Sequence, residues 1–112
     1  MPCLDISTNV KLEDVDVESF SREATTAVAT IIGKPEQFVM IILKGSANIT
    51  FGGSKEAAAL AEIVSMGGIT TQVKRELIST IGTIMENKLS IPRARFVLKV
   101  YDTTLAKRLS KM

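Results

Sequence analysis

The chain opens on alternation. Leu4 and Ile6 are apolar between the polar Asp5 and Ser7, a period of two that predicts a strand over residues 2–8. Residues 11–16 are a polar, increasingly acidic connection, and Asp16 is placed to cap a helix. From Val17 the period changes. Val17, Phe20, Ala24, Ala27, Val28, Ile31 and Ile32 recur at steps of three and four, which is one face of an amphipathic helix. Gly33 is the expected C-cap, and Pro35 stops any continuation. Residues 38–43, Phe-Val-Met-Ile-Ile-Leu, are apolar without a break, the pattern of a strand covered on both faces.

Residues 48–51 have the composition of a short strand, and Gly52-Gly53-Ser54 reads as a turn. Residues 57–66 are divided. The alanines and Glu62 favour helix, whereas Ile63 and Val64 favour strand. Gly67-Gly68 ends the element. Thr70 or Thr71 then caps a second helix, with Val73, Leu77, Ile81, Ile84, Met85 and Leu89 on one face and Pro92 beyond its end. Residues 96–101 predict the last strand, and a short basic tail runs from 103 to 112.

The two halves are alike. Each carries a strand, a helix, a proline and then a strand opening on Phe-Val, with Pro35 and Pro92 about half the chain apart. That repeat resolves residues 57–66 as a strand. Two right-handed βαβ units predict an α+β fold: a tandem βαβ repeat, a four-stranded mixed sheet with both helices on one face, and a single domain over 1–112. The other sheet face is then bare. An apolar bare face on one protomer predicts an oligomer whose sheets are covered by other copies.

Composition narrows the chemistry. Of 112 residues, 46% are hydrophobic but only 4% aromatic, so the core is aliphatic. Fourteen basic and 12 acidic side chains give a net charge of +2, with no basic block of the kind nucleic acid needs. There is no histidine and one cysteine, Cys3, which removes an internal disulfide, an ordinary metal site and any Ser-His-Asp or Cys-His nucleophile. No cofactor is implied. No stretch approaches a membrane span and no leader precedes the first strand, so a soluble intracellular protein is expected.

The candidate base is at the beginning. A small or imino residue at position 2 favours removal of Met1, which leaves Pro2 as a secondary amine. In a strand that starts at once, this amine is held rather than frayed. Burial and nearby positive charge keep it neutral near pH 7, given a reference α-amino pKa of about 7.7–8.0. With Met1 retained, the Pro2 nitrogen is an amide and no base. By itself, proline at position 2 is merely compatible with processing.

The motifs Thr8-Asn9-Val10, Gly33-Lys34-Pro35-Glu36-Gln37-Phe38, Phe51-Gly52-Gly53-Ser54, Ser65-Met66-Gly67 and Tyr101-Asp102, following Pro2, are similar to those of the macrophage migration inhibitory factor and D-dopachrome tautomerase family. The likeness is greatest to its plant members and covers residues 2–102. It implies a homotrimer enclosing a central channel, and keto–enol tautomerisation of an α-keto acid such as phenylpyruvate, with Pro2 as base. Lys34 then matches the pocket cation, which pairs with a substrate carboxylate. Met66 matches the donor of a backbone N–H, and Phe38 stands for a pocket tyrosine less its hydroxyl.

The departures are Val97 for a pocket tyrosine that the family supplies from a neighbouring subunit, Lys99 for a pocket asparagine, and the lack of the family's tryptophan-bearing C-terminal segment. They imply weak turnover of the usual aromatic substrates. Two readings follow: a tautomerase, or a trimeric cytokine-like protein that binds a protein receptor without catalysis. Ala58-Ala59-Leu60-Ala61 replaces the family's Cys-x-x-Cys, so no thiol redox activity is implied. Ser110-Lys111-Met112 resembles a peroxisomal address, giving peroxisome or cytoplasm as the expected location.

Overall fold

A computed structural model of the protein describes residues 1–104. The elements are β1 (Cys3–Thr8), α1 (Val17–Ile32), β2 (Met40–Lys44), β3 (Ala59–Ser65), α2 (Thr71–Leu89) and β4 (Phe96–Asp102). The four strands form one sheet in the order β2-β1-β3-β4. β1 runs parallel to β2, and β3 parallel to β4. β1 and β3 are antiparallel, so the two βαβ units meet across an approximate two-fold axis. The expected mixed sheet and helix pair are present.

The helices begin and end where local chemistry directs. The Asp16 carboxylate accepts the Ser19 N–H at 3.0 Å. Of the two threonines before α2, it is Thr70 that caps, its hydroxyl accepting the Val73 N–H at 3.1 Å. Gly33 closes α1 in the left-handed region at φ 79°. Phe20, Ala24, Val28 and Ile32 of α1, with Leu77, Ile81, Ile84 and Met85 of α2, are buried against Leu4, Ile6, Ala61 and Ile63 of the sheet. Each large side chain in this set contributes on the order of 1.5–3 kcal/mol. Lys88, near the end of α2, donates to Ser19 at the start of α1 at 3.0 Å, so the helices are antiparallel.

Two expected strands differ. The second starts at Met40, not Phe38, because Pro35 is followed by a 3-10 turn, Glu36–Phe38. In it the Phe38 N–H donates to Pro35 O at 3.1 Å and the Val39 N–H to Glu36 O at 3.0 Å. Arg93–Arg95 repeats this turn after Pro92. Residues 48–51 are not a strand. Phe51 and Ser54 make only an isolated bridge around Gly52 and Gly53, whose φ of 60° and 78° suit a type I′ turn. No sheet edge receives this segment, because side chains take its carbonyls instead. The Asn9 amide donates to Ile49, Lys55 and Glu56 O at 3.4, 3.1 and 2.9 Å. The Arg95 guanidinium reaches Phe51, Ser54, Glu56 and Ala57 O at 2.9–3.3 Å.

The helix-free face of the sheet carries three rows set by the strand register. Met40, Cys3, Val64 and Tyr101 form the first; Ile42, Asp5, Glu62 and Lys99 the second; Lys44, Ser7, Leu60 and Val97 the third. Met40, Leu60, Val97 and Tyr101 are 38–50% exposed. The expectation that β2 is covered on both faces therefore fails within one protomer: Met40 is open, and Ile41, Ile42 and Leu43 are half-buried. The middle row is charged, with Lys99 paired to Glu62 within it and Asp5 paired to Lys44 of the third row. Lys44 Nζ lies 3.1 Å from an Asp5 oxygen and Lys99 Nζ 3.9 Å from Glu62 Oε1.

Candidate functional site

Pro2 is buried, with less than 2% of its surface exposed, while Met1 before it is open to solvent. Its carbonyl accepts the Met40 N–H at 2.9 Å, which ties the start of β1 to the start of β2. On its other side β1 pairs with β3, with Cys3 opposite Val64. One further step of that register brings Pro2 beside Ser65. Ser65 in turn is paired with Asp102 on β4. The N-terminus thus meets the ends of β3 and β4 and the approach to β2 along one edge of the sheet.

The end of α1 reaches the same edge. The Gly33 and Lys34 N–H groups both donate to Ala29 O, at 2.9 and 3.0 Å, which fixes the backbone at Lys34. Lys34 is half-buried just past the helix C-terminus, where a cation is favoured. It makes no ion pair among the described residues. The turn after β3 is folded onto α1. Gly68, at φ 79°, comes so near that a Cβ there would stand 3.1 Å from Ile32 O and 3.0 Å from Ile32 Cγ2. A side chain at 68 would force the turn away from the helix.

This turn is tightly tied. The buried Ser65 hydroxyl donates to Gly67 O at 2.9 Å. One oxygen of Asp102 accepts the Gly67 N–H at 3.1 Å and the Thr104 N–H at 2.9 Å. The Thr103 hydroxyl donates to Ser65 O at 3.4 Å. Met66, between Ser65 and Gly67, has its backbone held while its side chain is exposed. Phe38, also exposed, stands in the 3-10 turn leading to Met40.

Four of the six site residues expected from sequence, Pro2, Lys34, Phe38 and Met66, therefore share one end of the protomer. The other two do not join them. Val97 is level with Leu60, which pairs with Ser7, about five residues or ~16 Å along the strand direction from Pro2. Lys99 lies level with Glu62 and Asp5, on the helix-free face of the edge strand. Both are open to whatever covers that face. Lys99 is already directed at Glu62, a long, half-exposed pair that holds it weakly.

A separate groove of about 600 Å³ runs between the solvent sides of α1 and α2, lined by Ser19, Arg22, Glu23, Thr26, Ser79 and Thr83 among others. It contains none of the expected site residues. Among the described residues, no three His, Cys, Asp or Glu side chains are grouped to hold a metal ion. No helix among them is long and apolar enough to cross a membrane. Ser110, Lys111 and Met112 lie outside the described residues.

Sequence reasoning passed over Asp102, Ser65, Asn9 and Arg95 as individual residues. A signal existed for two of them. Asp102 precedes Thr103-Thr104, the pattern of a carboxylate capping the next backbone N–H groups. Asn9 directly follows a strand, where an amide can serve neighbouring carbonyls. Nothing in the sequence pointed to the four carbonyls gathered by Arg95.

The family model described as macrophage migration inhibitory factor matches residues 1–109. A macrophage migration inhibitory factor homolog of Trichuris trichiura is 30% identical over 91% of this chain and 89% of its own length. The macrophage migration inhibitory factor of Mus musculus is 28% identical, over 95% and 91%. Among solved structures, the homologue from Prochlorococcus marinus aligns with a TM-score of 0.85 at 27% identity, covering 89% of this chain and 87% of that one. The factor from Trichinella spiralis aligns at 0.84 and 27%, covering 89% and 88%.

Proposed function

The chain belongs to the macrophage migration inhibitory factor family, and from that premise we propose that it is a keto–enol tautomerase of α-keto acids of the phenylpyruvate type, with the Pro2 amine as base. The observation that carries the reading is the setting of Pro2: buried at the end of the sheet and held through its carbonyl, with Lys34 at the neighbouring helix end. The role of Pro2 requires that Met1 be removed.

In the keto-to-enol direction the neutral amine takes a proton from the carbon beside the keto group. The C–H electron pair becomes the C=C bond and the carbonyl electrons move to oxygen. The proton then passes to that oxygen, and the amine is neutral again. Lys34 pairs with the substrate carboxylate, and the Met66 N–H donates to the substrate. Phe38 supplies an apolar wall at the mouth. Burial and the Lys34 charge favour the neutral amine, so the rate rises with pH through the amine pKa and levels off above it.

The proposed assembly is a homotrimer in which other copies cover the helix-free face. There Val97 and Lys99 of one protomer complete the pocket of a neighbour. Lys99 adds a cation and Val97 little polar contact, so aromatic substrates turn over weakly. The second reading, a non-catalytic trimer that binds a protein receptor, is favoured by one observation: Lys99 is already directed at Glu62.

The test is direct. Protein whose intact mass shows a Pro2 terminus is assayed for enol–keto conversion of phenylpyruvate, and Pro2→Gly is expected to lose about 10²-fold or more. Undiminished rate in that variant removes Pro2 as base, and no turnover across a keto-acid panel leaves the binding reading. The proposed location is the peroxisome, read from Ser110-Lys111-Met112. A fluorescent fusion ending in this tripeptide is expected in peroxisomes, and one lacking it in the cytoplasm.

A further inference from the structure

We propose that Asp102 is a positioning residue for this site, acting through the Met66 backbone. The inference rests on the tautomerase reading. One carboxylate oxygen accepts two backbone N–H groups, from Gly67 at 3.1 Å and Thr104 at 2.9 Å. The first belongs to the turn after β3, the second to the chain leaving β4. Asp102 is also the β4 partner of Ser65 in the ladder. A single anionic acceptor thus joins the ends of two strands exactly one residue from the Met66 amide. Hydrogen bonds to a charged acceptor are the strong kind.

The rest of the turn leaves Asp102 a specific task. Ser65 fixes the Gly67 carbonyl, and Ile32 limits how closely Gly68 approaches α1. Neither holds the Gly67 N–H. Without Asp102 the peptide linking Met66 to Gly67 can rotate about its flanking bonds, since Gly67 and Gly68 offer little resistance. That rotation acts on the Met66 N–H through Met66 Cα, because the N–H sits on the preceding Ser65–Met66 peptide, which is held by the Thr103 hydroxyl on Ser65 O at 3.4 Å and loosens with the turn. A donor that contacts bound substrate before and during proton transfer supports binding, so the effect falls on KM more than on kcat. The carboxylate acts here as an acceptor and not as a charge that tunes Pro2. That distinction separates the two variants: the isosteric Asp102→Asn keeps an oxygen acceptor and loses the charge, whereas Asp102→Ala loses both.

The experiment compares Met1-free wild-type protein, Asp102→Ala and Asp102→Asn with phenylpyruvate across pH, alongside amide hydrogen exchange at Met66 and Gly67. In Asp102→Ala, KM is expected to rise about tenfold, kcat to change less than about threefold, and the exchange of the Gly67 amide to quicken about tenfold. Asp102→Asn is expected to return most of the KM and the protection, and the pH at half-maximal rate to stay put in both variants. KM within twofold of wild type in Asp102→Ala, unchanged exchange, or a pH profile that moves in Asp102→Asn overturns the proposal. Should Pro2→Gly retain full rate, or the wild type show none, the tautomerase reading fails by itself. Asp102 is then judged by exchange and by phenylpyruvate binding in NMR titration, where equal protection and affinity in Asp102→Ala would refute it.

Discussion

Single residues in this protein do most of their work through backbone groups. Arg95 is the plainest instance. Its guanidinium gathers the carbonyls of Phe51, Ser54, Glu56 and Ala57 and lies 5.2 Å from the Phe51 ring centroid. Together with Asn9 it holds a segment that has no strand to pair with. Arg95→Ala is expected to lower stability by about 1–3 kcal/mol, read as a lower urea midpoint at unchanged slope. Arg95→Lys should recover little, because an ammonium cannot present a planar fork to four acceptors. Full recovery by lysine would mean that charge and not geometry holds the loop. Asp102 belongs to the same class of residue, a side chain whose product is the placement of another residue's amide.

At the scale of elements, the helices are specified locally and joined globally. Asp16 and Thr70 cap helices that run antiparallel, so the two caps lie at opposite ends of the layer. Asp16→Ala and Thr70→Ala are each expected to cost about 1 kcal/mol, and the double variant to equal their sum within about 0.5 kcal/mol. Thermal unfolding of the three variants checks this. A marked departure from additivity would show that the helix starts communicate through the core. The helix periods, the Asp16 cap, the C-cap at Gly33 and the strand order within each repeat were legible in the chain, while the second cap stayed open between Thr70 and Thr71. The 3-10 turns after Pro35 and Pro92 were not, since the apolar run from Phe38 conceals where pairing starts. Nor was the fate of 48–51, whose strand-like composition is overridden by Asn9, just after β1, and by Arg95 in the turn before β4.

For the whole molecule the decisive feature is the helix-free sheet face. Its outer rows carry Met40, Val64, Tyr101 and Leu60, Val97, and its charges are matched on the same face, Glu62 with Lys99 and Asp5 with Lys44. An apolar surface with internally matched charge suits burial by other copies, because few ions are left unpaired on desolvation. Leu60→Glu sets a new carboxylate on this face while the core contacts of β3 remain. Its expected result is a monomer by analytical ultracentrifugation with native far-UV circular dichroism. A variant that remains fully oligomeric would mean that this face is not the interface. Loss of tautomerase activity in a folded monomer would tie the site to the assembly.

The sequence by itself determined the two periods, the Asp16 and Gly33 caps, the repeat and hence the α+β plan, because these depend on spacings within one element. It also indicated Pro2, Lys34, Phe38 and Met66 through motif order. Only the tertiary structure decided that these four share one end of the sheet while Val97 and Lys99 lie elsewhere, because strand register is a long-range property. Only the fold, too, brought Asp102 to the Gly67 amide. The distance along the chain between them conceals a contact that pairing of β3 with β4 makes direct.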